Sequence, residues 1–239
     1  MTIGFYSAKT GMLSTQNGLD VVSNNIANLS TTGYKELRTS FSDTLYTVQK
    51  EEYEQAQTGH GTKIVKTDLM FEQGPMQMTN RQLDFALPNE GFFAVRDENG
   101  QVKYTRDGAF HMSQNGDDWE LVNSNGLKVL DYDGDPVEFE FEDDGTVNYE
   151  KLVQDVGVYT FSNPYGLIAD GANCYLETES SGQAKANEDL DKINNALEDS
   201  SVDIADQMVK VIQYQRAFQF NSQMIRTNDE IESIVNNLR

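Results

Sequence analysis

One cysteine, Cys174, occurs in 239 residues, so neither an intrachain disulfide nor a thiolate metal site can form. Alone, it reads as a small buried hydrophobe. Histidine is nearly as scarce. His60 and His111 are the only two, and neither stands in an HExxH or other ligand spacing. No Walker A loop, G-x-S-x-G elbow or G-x-G-x-x-G turn is present, which removes the common nucleotide-binding and serine-hydrolase readings. No apolar run approaches the roughly 18 residues that a membrane-spanning helix needs, so no membrane insertion is expected. A basic stretch followed by an apolar core is also missing at the start, so a cleaved secretory signal is not expected.

Positive charge is in short supply too. Lys and Arg number 18 against 39 Asp and Glu, for a formal net charge of −21. The imbalance is uneven: residues 1–35 carry +1 and residues 200–239 carry −1, so the middle, 36–199, holds the whole −21. Near-neutral ends can pack against copies of themselves, while an acidic body stays solvated. Without a basic patch to displace phosphate counterions, nucleic-acid binding is not expected. The many carboxylates would allow a carboxylate-pair hydrolase, yet nothing marks any two as paired. Asp131, Asp133, Asp135 and Glu142 fall at positions 1, 3, 5 and 12 of a calcium-loop pattern. Pro136 replaces the glycine that such a loop needs for its sharp turn, and the flanks read as strands. A solvated hairpin tip is therefore the expectation, with no metal and no cofactor.

What the chain does have is a seven-residue period at both ends. Phe5, Met12, Leu19 and Ile26 form one row, and Ala8, Thr15, Val22 and Leu29 a second, three residues on. Two such rows make the seam of a helix that packs lengthwise on others. The row ends in poor helix formers from Asn28 to Gly33, where Gly33 is free to take a positive φ. Gly4, Gly11 and Gly18 also recur at seven, each costing about 1 kcal/mol relative to Ala inside a helix. Two readings stay open: a poor helix rescued by its own core, or one that orders only on assembly. At the other end Ile204, Val211, Phe218 and Ile225 repeat the period. Ser201 is a plausible N-cap, with Asp203 and Asp206 in the first turn.

Between the helices the period changes. Phe41, Leu45 and Val48 suit either a short helix or an extended connector. From Lys63 the alternation of Val65, Thr67, Leu69 and Phe71 with polar neighbours predicts a half-buried strand. To about residue 165 the text is short strands separated by turn dipeptides such as Asn115-Gly116, Asn125-Gly126 and Asp144-Gly145. Val137, Phe139 and Phe141 alternate with glutamates, and Val147 to Leu152 is read as another strand. Residues 179–188 read as a polar connector, and Leu190 to Leu197 as the approach to the final helix.

SNNIAN at 23–28 followed by TTGYK at 31–35 resembles the N-terminal signature of the bacterial flagellar rod and hook family. The resemblance continues through FEQG at 71–74, LDFA at 83–86, GFF at 91–93, YTRDGAF at 104–110 and FSNPYGL at 161–167. It ends with Leu197-Glu198, Ser201-Val202-Asp203, Met208, Gln215-Arg216-Ala217-Phe218, Asn221, Thr227 and Asp229. The stretch 186–195 departs from it in lacking the glycines usual before the last helix.

The resemblance implies an α+β chain: a mostly antiparallel β central domain, plus a coiled-coil helical domain formed by the N- and C-terminal helices. The expected boundaries are 1–35 for the first helix, 36–69 connector, 70–165 β domain, 166–199 connector and 200–239 for the last helix. It further implies a structural subunit of the flagellar basal-body rod, without enzymatic activity. Such a subunit self-assembles through its terminal helices into an axial tube that transmits torque and lets exported subunits pass. Expected partners are copies of itself, other rod or hook subunits and the flagellar export apparatus. Export would cross the cytoplasmic membrane without a cleaved signal peptide. The residues expected at the assembly interface are Phe5, Met12, Leu19, Val22, Asn24, Asn25, Ile26, Asn28, Ile204, Val211, Gln215, Arg216, Phe218 and Ile225. The alternative is an acidic extracellular binding module for calcium or a cell-wall polymer.

Overall fold

The computed structural model describes residues 3–51, 54–115, 118–141 and 147–238. Two compact units emerge: Met1–Ala27, Leu37–Leu69 and Asp203–Arg239 form the first, and Asn28–Glu36 and Met70–Val202 the second. The architecture is α+β, with mostly antiparallel strands in the centre of the chain.

In the first unit α1 spans Ile3–Ala27, followed by β1 (Leu37–Asp43), β2 (Tyr46–Glu51), β3 (Glu54–Gly59) and β4 (Thr62–Leu69). β1 pairs antiparallel with β4, and β2 with β3. The stretch 36–69, read as a connector, is therefore mostly paired strand, and Phe41 and Leu45 sit on extended backbone rather than a helix. Of the row expected to face inward, Leu69 and Phe71 are half-buried, whereas Val65 and Thr67 are exposed. Val65 is the residue left unpaired where the β1–β4 register slips between Ser40 and Phe41.

The second unit begins with β5 (Met76–Met78), β6 (Phe85–Ala86), β7 (Phe92–Arg96), β8 (Val102–Thr105), β9 (His111–Asn115), β10 (Asp118–Val122) and β11 (Lys128–Val129). Helix α2 (Tyr149–Asp155) follows, then β12 (Val158–Thr160), β13 (Ile168–Gly171), β14 (Cys174–Leu176), β15 (Lys185–Ala186), β16 (Ile193–Asn194) and β17 (Ala196–Glu198). The main sheet runs β13-β14-β8-β7-β11-β10-β9, with β12 and β15 branching from β7. β7 is central: Phe92, Phe93, Ala94 and Val95 are all buried. Phe85, Phe93, Phe110, Leu121 and Val129 lie at the heart of the core, each contributing about 1.5–3 kcal/mol by full burial.

The glutamate alternation holds at Val137 and Phe139, which are buried between exposed Glu138 and Glu140. Asn123 and Gly126 close the Asn125-Gly126 turn, with Gly126 at φ +79°. The Asn115-Gly116 and Asp144-Gly145 turns fall partly or wholly outside the described residues. Val147 to Leu152 is not a strand, because Asn148 accepts a hydrogen bond from Lys151 N (3.1 Å) and so caps α2. The polar stretch and the approach to the last helix are not loose connectors either, since β13 to β17 all pair within this unit.

The last helix, α3, spans Ile204–Asn237 and returns to the first unit. Its cap is Asp203, whose carboxylate accepts from Ala205 N at 2.8 Å. Ser201, expected in that role, instead accepts from Glu36 N at 3.0 Å.

Candidate functional site

The first candidate is the α1–α3 pair. Gly4 faces Asn228, Gly11 faces Asn221, and Gly18 faces Tyr214. Asn25 continues the series by donating to Gln207 Oε1 at 3.3 Å. Both rows step by seven in opposite directions, so the helices run antiparallel and in heptad register. The glycine row is thereby explained within one chain. A Cβ on Gly11 would stand 2.9 Å from the Asn221 amide, and one on Gly18 would lie 3.2 Å from the rings of Phe41 and Tyr214. Only a residue without a Cβ lets these groups approach so closely.

Asn25 closes the end of this pair. Its Nδ2 donates to Leu37 O (2.8 Å) while its Oδ1 accepts from Leu37 N (3.0 Å). The amide supplies one donor and one acceptor to the same backbone residue, a pairing that Asp, Ser or Ala cannot reproduce. The start of β1 is fixed to α1 by these two bonds, and the start of α3 joins through Gln207.

The second candidate is a buried ionic clasp in the β unit. Lys35 Nζ donates to Glu198 Oε1 (2.6 Å) and to Glu72 O (2.7 Å). Arg106 Nη1 reaches Glu198 Oε2 at 3.3 Å, and Gly74 N donates to Oε1 at 2.8 Å. Lys35 and Glu198 side chains are each 1% exposed. Burial pushes the Lys35 ammonium and the Arg106 guanidinium down from their ordinary values, and Glu198 pulls both back up. Arg106 also lies over the Phe92 ring, 5.3 Å from its centroid. Around it, Phe71, Phe92, Tyr104, Phe161 and Tyr175 make a chain of edge-on ring contacts.

Gly33 brings the first of these segments in. Its φ is +64°, its N–H donates to Glu198 O at 2.7 Å, and a Cβ there would lie 2.5 Å from the Arg106 backbone. The clasp thus unites TTGYK, FEQG, YTRDGAF and Leu197-Glu198, four of the quoted sequence blocks. None of its three ionic members was among the expected site residues. The local signals were weak: Lys35 follows Gly33-Tyr34, but Arg106 is followed by Asp107 and Glu198 by Asp199.

The expected interface residues differ in burial. Val22 and Asn25 are buried within the first unit. Asn28 accepts from Thr31 N (3.1 Å) and Thr31 Oγ1 (3.2 Å) and closes the turn after α1. Phe5, Met12, Leu19, Ile26, Val211 and Ile225 are half-buried along the pair, while Asn24, Ile204, Gln215, Arg216 and Phe218 are exposed.

The acidic turn behaves as a turn. Asp131 Oδ1 accepts from Asp133 N (3.0 Å) and Asp135 N (2.8 Å), so its carboxylate already serves the loop's own backbone. Glu142 lies outside the described residues. Among the described residues, no helix is long and apolar enough to cross a membrane.

Three families match this chain in order. Residues 5–35 match one described as flagella basal body rod protein, and residues 86–158 match the flagellar hook protein FlgE/F/G D1 domain. Residues 193–238 match the flagellar basal body rod FlgEFG protein C-terminal family. The chain is 36% identical over 267 aligned positions to flagellar basal-body rod protein FlgG of Borreliella burgdorferi, spanning 100% of this chain and 99% of the relative. Its identity to the FlgG of Bacillus subtilis is 34%, over 100% of both chains. Flagellar hook-basal body complex protein FlhP of the same bacterium is 31% identical over 98% of each.

Proposed function

The chain belongs to the flagellar basal-body rod protein family, and from that premise we propose that it builds the axial structure through its terminal helices. It is a structural subunit of the basal body. One observation carries the proposed route of assembly. Met208, Ile212, Phe220, Met224, Ile231 and Val235 stand exposed along α3, while the 207, 214, 221 and 228 row faces α1. Monomeric proteins rarely leave so long an apolar surface in water. Charge permits copies to meet there, since the terminal segments are near neutral and the −21 resides in 36–199.

In this reading Phe5, Met12, Leu19, Ile26, Ile204, Val211, Gln215, Arg216, Phe218 and Ile225 contact neighbouring subunits, and Asn24 lies at the same end. Val22 and Asn25 support them from within. The neighbours are copies of this chain and other rod or hook subunits. Together the helices line a tube that transmits torque and passes exported subunits. The subunit itself leaves through the flagellar export apparatus, and it performs no chemical catalysis.

Leu19→Asp and Phe218→Asp test this route. Each puts a carboxylate into an apolar contact, at several kcal/mol if it stays charged. Neither variant should enter isolated basal bodies, while the unfolding midpoint of the β unit stays that of the parent. Normal incorporation and swimming with Leu19→Asp would refute assembly through the terminal helices.

A further inference from the structure

We propose that Lys192 is a site of covalent modification, its amine condensing with a small uncharged aldehyde to form an imine. Lys192 lines a cavity of about 390 Å³ together with Tyr132, Val153, Leu190, Glu188 and Asp191. Val153 and Leu190 pack against the core of the β unit, so one wall of the cavity is apolar. The segment that carries Lys192, 186–195, is the one that departs from the family's sequence blocks.

The amine is held in place before any reagent arrives. Its Nζ donates to Gln154 O at 3.1 Å and to Val156 O at 2.7 Å, and lies 5.1 Å from the centroid of the Tyr132 ring. Two N–H groups are thus committed to the end of α2, and the amine keeps both when it loses its third proton. The remaining position then carries the lone pair that attack on a carbonyl requires. Burial favours that loss: the Lys192 pKa falls from 10.5 to about 8, with Asp155 on α2 opposing the shift. At pH 7.5 roughly a quarter of the amine is then unprotonated, against roughly one part in a thousand for an ordinary lysine.

Charge selects the reagent. Glu188 and Asp191 approach from the segment of Lys192 itself, Asp155 from α2, and the Tyr132 phenol from the acidic turn. These carboxylates repel an electrophile that carries phosphate or carboxylate, and leave an uncharged carbonyl compound free to enter. In the condensation Nζ adds to the carbonyl carbon, the C–N bond forms, and the π pair moves to oxygen, which takes a proton. The nitrogen then gives up its remaining protons, the hydroxyl leaves as water, and the C=N bond closes. No oxidant or reductant is consumed. The neutral imine has no N–H left for Gln154 O and Val156 O, so the adduct releases the 186–195 segment from the end of α2.

The test treats the full chain with propanal and cyanoborohydride, which traps each imine as a secondary amine, and counts propyl groups on every lysine by peptide mass spectrometry at early times. At pH 7.5 Lys192 should gain propyl roughly tenfold faster than the exposed Lys63 and Lys185. That is less than the gain in unprotonated amine, because nucleophilicity falls along with basicity. The advantage should shrink as pH approaches 10.5 and vanish when the chain is unfolded in guanidinium chloride. Acetyl phosphate, an anionic acyl donor, should show no such preference for Lys192 in a parallel arm. Propylation of Lys192 no faster than of Lys63 and Lys185, a preference that survives unfolding, or an equal preference with acetyl phosphate would each overturn the inference.

Discussion

Replacing Glu198 by Gln should damage the β unit more than replacing Lys35 by Met, although each substitution removes one partner of the same ion pair. Glu198 is the single anion between two cations, with Lys35 at 2.6 Å and Arg106 at 3.3 Å. Glu198→Gln leaves both positive charges buried without compensation. Removing one partner of a buried pair costs about 3–5 kcal/mol when the other charge stays behind unpaired. Lys35→Met leaves Glu198 its bonds from Arg106 and Gly74 N. What it orphans is mainly the Glu72 carbonyl, worth about 1–3 kcal/mol as an unsatisfied buried acceptor. The only tryptophan, Trp119, packs against the β-unit core, so urea unfolding followed by its fluorescence reports on this unit. With an m value of about 2 kcal/mol/M, the expected midpoint shifts are about 2 M and about 1 M. A Lys35→Met shift equal to or larger than that of Glu198→Gln would refute the view that Glu198 is the keystone of the clasp.

The glycine row separates helix propensity from packing. A Cβ on Gly4 would meet Asn228 at an ordinary 3.5 Å, so Gly4→Ala should stabilise the helix pair by up to about 1 kcal/mol. Gly18→Ala presses on two rings and should destabilise by about 1–3 kcal/mol, a contrast that thermal melting by circular dichroism would reveal. Asn25→Asp removes the donor to Leu37 O and Gln207, at about 1–3 kcal/mol. Faster amide exchange at Leu37 and through the first turns of α3 should accompany it. Lys192 donates to Gln154 O and Val156 O, and burial lowers its pKa from 10.5 to about 8, with Asp155 opposing the shift. Between those two values the unfolded chain holds a proton that the folded chain has released, so stability from this group rises with pH across about 8 to 10. The neutral amine keeps two N–H groups for its two carbonyls. Relative to Lys192→Met, the parent's melting temperature should therefore gain from pH 7.5 to 9.5, and a constant difference would contradict it.

The sequence by itself determined the two end helices, because a seven-residue repeat has one physical meaning on an α-helix and covers enough turns to be unambiguous. It also determined the antiparallel β centre through its turn dipeptides, and the family through blocks spread along the whole chain. It placed the break after α1, where Gly33 indeed takes a positive φ. Only the tertiary structure decided what those features face. The glycines at 4, 11 and 18 are periodic in the text, but their partners at 228, 221 and 214 come from the other end of the chain. Register between two helices depends on packing, which no local pattern encodes. The same holds for Val65, whose place in the alternation was legible but which the register slip at Ser40 and Phe41 leaves unpaired. Val147 to Leu152 carried strand-like residues, and one capping bond from Asn148 outweighed them. The clasp was the least legible of all. Lys35, Arg106 and Glu198 are far apart in sequence, and each charge reads as solvated until folding removes the water around it and sets Glu198 between the two cations.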